Sequence, residues 1–330
     1  MRIVYAGSPG IAVPALETLA DLEAAGAHRI VGILTNPDSP RGRHGKPEPT
    51  EVSRAATVLS ERRKAQGLPA LMQLKPEKLS ATALEPLACL QPDLLISFAY
   101  GHIFSPQVLG LFPQGGINIH PSLLPRYRGP TPIQAAILAG DRETGITLQT
   151  LVQDVDAGDI LLQALIPLSG EETTGELSAL VAPKAAALLA ELLKRPGQDL
   201  LKGRPQAHEK ATFCSLIRKE DGRIDWSASA ASIAARIRAF TPWPLSWTLH
   251  GEQYLYILEA KPFPQEEPGT EPKAPAPPGT VLGIDKQRGI LVQTGEGILG
   301  LTRLQYRSKK ALAWKAFLNG ARHCIGASLG

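Results

Sequence analysis

Three polar side chains in this chain have the types and the spacing for chemistry on a carbonyl group. The run Gly116-Ile117-Asn118-Ile119-His120 alternates as the end of a strand does, and side chains two apart on a strand share a face. Asn118 and His120 should therefore point together, with Ile117 and Ile119 packed on the other side. An amide N–H can hold a developing oxyanion, an imidazole can give or take a proton near neutral pH, and a carboxylate can orient and charge that imidazole. Asp156, in Asp154-Val155-Asp156-Ala157-Gly158-Asp159, supplies the carboxylate. The set suits acyl transfer without a covalent intermediate. Each piece also has a plain alternative: Asn-x-His pairs are mostly satisfied polar side chains, and Asp-Ala-Gly suits a tight turn by propensity alone.

The elements that must position these residues read as a doubly wound α/β fold over residues 1–195. Ile3 to Ala6 is a short apolar strand, Ala12 to Ala25 a helical segment with Pro14 in its first turn, and Arg29 to Thr35 a second strand. Leu94 to Phe98 is a continuous apolar run, as expected of a buried parallel strand. Thr131-Pro132 caps a helix that runs on through Ile133 to Leu138 and stops at Gly140-Asp141. Gly145 to Val152 and Ile160 to Pro167 read as strands joined by a turn that holds Asp156. Thr57 to Met72 reads as part of an extended helix. Ligands of such sheets bind beyond the carboxyl ends of the strands, where Asn118 and His120 fall.

The rest of the chain differs in character. Residues 196–212, rich in Lys, Arg, Pro and Gly, read as a linker, and 213–330 as a second, smaller domain. Thr248 to Leu258, Gly279 to Ile284, Gly289 to Thr294 and Gly297 to Leu304 are short strand-like runs between turns, which suggests a small β-barrel closed by a helix over Ala311 to Leu318. Pro262 to Pro278 is a Pro/Glu-rich loop with little to bury. Phe240, Trp243 and Trp247 read as core packing.

At 330 residues and 43% hydrophobic content the chain is long enough for two cored domains. The apolar run at Met1 to Gly7 is too short for a signal-peptide core, and no stretch reads as a membrane span. Cys89, Cys214 and Cys324 lie far apart without metal-type spacing, so they read as reduced packing residues in a cytoplasmic protein, and no metal is expected. The net charge of +4 is uneven: residues 213–330 carry 15 Lys and Arg against 10 Asp and Glu, whereas residues 1–212 carry 20 against 21. A basic second domain is compatible with a polyanion partner. Gly7-Ser8-Pro9-Gly10 lacks the Gly-x-Gly-x-x-Gly spacing of a dinucleotide loop.

The segment from Asn118 through His120-Pro121-Ser122-Leu123-Leu124-Pro125 and Tyr127-Arg128-Gly129, with Asp156-x-Gly158 beyond it, resembles the folate-dependent formyltransferases, which move a formyl group from 10-formyltetrahydrofolate to an amine. Ala6-Gly7-Ser8-Pro9 with Ala12-Val13-Pro14, Arg223-Ile224-Asp225-Trp226, and Arg238-Ala239-Phe240-Thr241-Pro242-Trp243-Pro244 are similar to the branch that acts on methionyl-tRNA, so the resemblance covers nearly the whole chain. It implies Asn118, His120 and Asp156 as catalytic residues. It also implies a folate site formed by Phe98, Tyr100, Ile103, Ser122, Leu123, Leu124, Pro125, Gln153 and Asp154. Initiator methionyl-tRNA would be the acceptor, bound by an oligonucleotide-binding-like (OB-like) barrel through Lys286, Arg303, Lys309 and Lys310, with Arg288 and Arg307 as further phosphate contacts. The loop Pro40 to Pro47 is similar to one that meets the acceptor end of tRNA, which implicates Arg41, Arg43 and Lys46. The expected form is a Rossmann-like formyltransferase domain plus this barrel, acting as a monomer. Three rivals share parts of the pattern: a formyltransferase for an amino-sugar nucleotide, a formyltetrahydrofolate hydrolase, and a pure RNA-binding module.

Overall fold

A computed structural model describes residues 1–40, 45–263, 276–321 and 324–330. The chain divides into two compact units. The first comprises Met1–Pro132, Glu143–Pro167 and Ser178–Ser215; the second comprises Ile133–Arg142, Leu168–Leu177 and Leu216–Gly330.

The first unit is built on a seven-stranded sheet: β1 (Arg2–Gly7), β2 (Arg29–Leu34), β3 (Met72–Leu74), β4 (Leu94–Phe98), β5 (Gly116–His120), β6 (Glu143–Thr150) and β7 (Ile160–Pro167). The spatial order is β3-β2-β1-β4-β5-β6-β7. Strands β1 to β5 are parallel, while β6 and β7 form an antiparallel extension beside β5. The central strands are buried on both faces, which explains the unbroken apolar run Leu94-Leu95-Ile96 at the sheet's middle. A helix at Val13–Ala24 takes Pro14 in its first turn, as expected. The helix read as reaching Met72 spans Glu51–Ala65: Thr50 caps its start by accepting from the Ser53 N–H, and Gly67, at φ +74°, turns the chain toward β3. Glu23 and Arg63 form a buried ion pair, and Arg63 also donates to the Pro69 carbonyl at 2.9 Å.

In the second unit Ser246–His250, Gln253–Phe263, Ile298–Tyr306, Gly289–Gln293 and Val281–Asp285 form an antiparallel sheet in that spatial order. The run Thr248 to Leu258 is thus two strands rather than one. His250 pairs with Gln253 across a Gly251-Glu252 turn, and Gly251 adopts φ +60°, the geometry a two-residue hairpin needs. The two outer strands are joined through residues 326–330: the Val281 N–H donates to the Ala327 carbonyl at 2.9 Å, and the Gly330 N–H to Leu249 at 3.1 Å. The helix Ala230–Ala239, capped by Ser229, packs Ile233, Ala234 and Ile237 into a core with Ile257, Val292, Leu299 and Leu301. Trp226 joins that core and donates from Nε1 to Thr248 Oγ1 at 3.0 Å. The closing helix lies at Trp314–Ala321. Phe240 is buried as expected, but Trp243 is 55% exposed and is not core: prolines on both sides deny its segment the regular pairing that would hold it inward.

Candidate active site

Strand β5 carries Ile117 and Ile119 into the core and turns Asn118 and His120 to the opposite face. Strand β6 lies antiparallel beside it, with Gln149 opposite Asn118 and Thr147 opposite His120. Same-face pairing therefore puts four polar residues on one patch of the sheet. The β6–β7 connection delivers Asp156 to that patch in the left-handed region, at φ +51°. Two residues later Gly158 passes so close to β6 that a Cβ would sit 1.8 Å from the Thr150 carbonyl oxygen, which is the physical reason for the Asp-x-Gly spacing.

Asp156 is the hub. Its Oδ1 accepts from Asn118 Nδ2 at 3.0 Å and from Gln149 Nε2 at 2.9 Å, and its Oδ2 accepts the Gly129 N–H at 2.8 Å. His120 Nδ1 lies 3.4 Å from Asp156 Oδ1, an ion-pair contact when the ring is charged. On the ring's other side Nε2 donates to the Tyr127 carbonyl at 2.8 Å. Of the three residues read as catalytic from the sequence, Asn118 and His120 thus converge on the carboxylate of the third, Asp156. The donors Gln149 and Gly129 were missed; the alternating parity of β6 would have pointed to Gln149.

The loop from Pro121 to Gly129 is fastened from below. Thr147 Oγ1 donates to the Ser122 carbonyl at 2.7 Å and accepts from the Leu124 N–H at 3.1 Å, while Ser122 Oγ donates to Arg126. The segment read as a linker is structured: Leu200 and Gln206 are buried, Arg204 and Ile160 exchange main-chain hydrogen bonds, and 212–214 pairs with 126–128. Within it, Gln206 donates from Nε2 to the carbonyls of Asp156 and Gly158 at 2.9 and 2.6 Å. Cys214 Sγ lies 3.3 Å from the Thr131 N–H, and burial pushes its thiol pKa up.

Of the residues implied for the folate, Ile103, Gln153 and Asp154 are exposed and Leu123 and Pro125 partly so, whereas Phe98, Tyr100, Ser122 and Leu124 are buried. The buried four can meet a ligand chiefly through main-chain groups, since Phe98 and Leu124 are packed away and the Ser122 hydroxyl is engaged by the Arg126 carbonyl. Tyr100 is the exception: among the described residues its buried hydroxyl has no hydrogen-bond partner, and burial pushes its pKa up to about 12. Arg41 and Arg43 lie outside the described residues; Lys46 is exposed. In the second unit Lys286, Arg303, Lys309 and Lys310 are all exposed. Pairing of Ile290 with Leu301 sets the hairpin carrying Lys286 and Arg288 level with Thr302 and beyond it, toward the strand end that leads to Arg307, Lys309 and Lys310. Arg303 is engaged by Glu259 at 3.2 Å. Among the described residues no helix is long and apolar enough to cross a membrane.

An amide, an imidazole and a carboxylate gathered beyond the carboxyl end of strand β5 suit chemistry on a carbonyl group. Residues 1–193 match the family model described as formyl transferase, and residues 216–322 match formyl transferase, C-terminal domain. The chain is 46% identical over 322 residues to methionyl-tRNA formyltransferase of Treponema denticola, covering 97% of each chain. It is 41% identical over 321 residues to methionyl-tRNA formyltransferase of Chloroflexus aggregans, again covering 97% of each. Among solved structures, the N-formyltransferase of Helicobacter canadensis in complex with folinic acid and dTDP-3-aminofucose shares the fold at TM-score 0.61 and 17% identity, over 91% of this chain and 99% of that one. The chain belongs to the formyl transferase family, within its methionyl-tRNA formyltransferase branch.

Proposed function

We propose that this protein transfers the formyl group of 10-formyltetrahydrofolate to the α-amino group of methionine esterified to initiator tRNA, in the cytoplasm and as a monomer. The observation that carries the reading is the full-length likeness to methionyl-tRNA formyltransferases, which spans both units rather than the catalytic half alone.

The uncharged amine attacks the formyl carbon, a C–N bond forms, and the bond to the folate N10 breaks as the tetrahedral intermediate collapses. Asn118 Nδ2 gives one N–H to Asp156 and has a second to offer the developing oxyanion. The proton lost by the amine reaches the departing folate nitrogen through His120, which is held between Tyr127 and Asp156, or through a water held by Asp156. Asp156 contributes a fixed negative charge that stabilises positive charge on the ring. In this reading residues 1–195 perform the transfer and residues 213–330 hold the tRNA, with Lys286, Arg303, Lys309 and Lys310 against phosphates and Arg41, Arg43 and Lys46 near the acceptor end. The folate lies along Ile103, the 122–125 loop and Gln153–Asp154.

Formyl transfer to methionyl initiator tRNA tests the reading, with free methionine, an aminoacylated elongator tRNA and a His120→Ala enzyme as controls. Transfer confined to the initiator and lost in the variant is the expected result. Intact folate binding with no transfer to any tRNA overturns it in favour of an amino-sugar nucleotide as acceptor.

A further inference from the structure

We infer that Gln206 and Gln149 form an oriented amide relay from the buried Arg128 guanidinium to the Asp156 carboxylate, and that both are positioning residues for the transfer reaction. The inference rests on the reading of Asp156 as part of the reacting site.

The direction of each amide follows from what its neighbours can do. Arg128 has donors only, and its Nε and Nη2 lie 3.1 and 2.7 Å from one atom of Gln206, which must therefore be Oε1. The opposite end of Gln206 faces the carbonyls of Asp156 and Gly158, which only accept, so that end is Nε2. The same Nε2 lies 3.3 Å from Gln149, which presents Oε1 to it and hence Nε2 to Asp156 Oδ1 at 2.9 Å. Every dipole points the same way along the chain, and hydrogen bonds so aligned polarise one another. The relay is dry: Arg128 is 5% exposed, Gln206 4% and Gln149 1%. A buried cation and the reacting carboxylate are thus joined through two amides instead of a direct ion pair.

This arrangement does what a direct Arg–Asp contact would not. A guanidinium on Asp156 would occupy the carboxylate face that Asn118 and His120 need. The relay delivers orientation through one donor on Oδ1 and leaves the other contacts to Asn118, His120 and Gly129. Gln206 also grips the main chain on both sides of Ala157, holding Asp156 in its left-handed conformation.

The test uses the full-length enzyme with Gln149→Leu, Gln206→Leu, their double variant, and Gln206→Glu. Gln206→Glu keeps an acceptor for Arg128, so the segment stays anchored, but it replaces the donor facing three oxygens with another acceptor. Each single change should lower kcat roughly tenfold to a hundredfold, the cost of a small misplacement of a reacting group, while KM for 10-formyltetrahydrofolate stays within about twofold, as for an interaction felt after binding. The double variant should lose little beyond the worse single one, since a broken chain cannot be broken again. A folded Gln206→Glu or Gln206→Leu enzyme with wild-type kcat, or single losses that multiply in the double variant, overturns the relay.

A second readout needs no acceptor. In protein carrying 15N-labelled histidine, the His120 ring signal, identified by its loss in His120→Asn, should move in Gln149→Leu and Gln206→Leu as Asp156 reorients; an unmoved signal overturns the relay. Absence of wild-type transfer to any amine would sink the functional reading alone, with the ring signal still deciding the relay.

Discussion

The main-chain N–H of Gly129 donates to Asp156 Oδ2 across 2.8 Å, and it can do so only because residue 129 has no side chain. Gly129 sits at φ +112°, and a Cβ there would lie 2.4 Å from the Cys214 carbonyl oxygen. A Gly129→Ala enzyme must push 212–214 away from the loop or swing the N–H off the carboxylate. Overpacking of this kind costs about 1–3 kcal/mol, read as a lower melting temperature. Loss of the donor should lower kcat by on the order of a hundredfold. A variant with unchanged kcat would show that Asp156 Oδ2 needs no partner for the reaction.

Asp156→Asn tests the hub itself. The carboxylate takes donors on both oxygens, from Asn118 and Gln149 on one and Gly129 on the other. An amide has one oxygen, so either way round its NH2 meets a donor, and a buried unsatisfied donor costs about 1–3 kcal/mol. The fixed negative charge beside His120 is lost as well. Single-turnover formyl transfer should slow by on the order of a hundredfold or more, with folate binding nearly unchanged. Full activity in Asp156→Asn would remove the carboxylate from the mechanism.

The part of this site that was legible in the sequence is the part set by local periodicity. Asn118 and His120 share a strand face whatever the fold, and Asp156 sits in a turn marked by its own residues. Gln149 and Gln206 were not read out because their roles depend on register and on long-range packing: Gln149 matters through its place opposite Asn118, and Gln206 through a Lys- and Gly-containing stretch whose composition suggests a linker. Composition reports propensity, whereas the burial of Gln206 is decided by three acceptors and an arginine far away in sequence. The hairpin of β6 and β7 was legible as two strands joined by a turn, whereas the split of Thr248 to Leu258 at Gly251 was a matter of pairing rather than of apolar pattern.

Cys214 lies beside the Tyr127–Thr131 loop, with its sulfur 3.3 Å from the Arg128 carbonyl. Burial raises its pKa, Thr131 hydrogen bonds act the other way, and the negative charge of Asp156 adds to the rise. The thiolate is the reactive form, so a raised pKa means less thiolate at any given pH and an alkylation profile displaced toward alkaline pH. Exposed Cys89 should therefore be carboxamidomethylated by iodoacetamide well before Cys214 at pH 7.5, and mass spectrometry of the two peptides reads the order directly. Equal rates at both cysteines would contradict the half-buried placement of Cys214.

Lys309 and Lys310 follow the strand that carries Arg303, yet their electrostatic worth differs from that of Arg303. Arg303 already pairs with Glu259, a cross-strand neighbour, so moving it onto a phosphate means giving up that contact. Lys309 lies over the Tyr306 ring at 5.6 Å, a contact that leaves its charge unneutralised, and Lys310 is exposed beside it. Each phosphate neutralised releases counterions, and the dependence of log affinity on log salt steepens by roughly 0.7 to 0.9 per contact. Replacing both lysines with Ala should flatten that slope by about 1.4 to 1.8 for initiator tRNA and raise KM for tRNA, with kcat at saturating tRNA unchanged because neither touches the formyl group. Arg303→Ala should change the slope less than either lysine, since a guanidinium already paired with Glu259 makes a weaker phosphate contact and displaces fewer counterions. A salt slope unmoved by the double lysine variant would take the RNA off this end of the sheet.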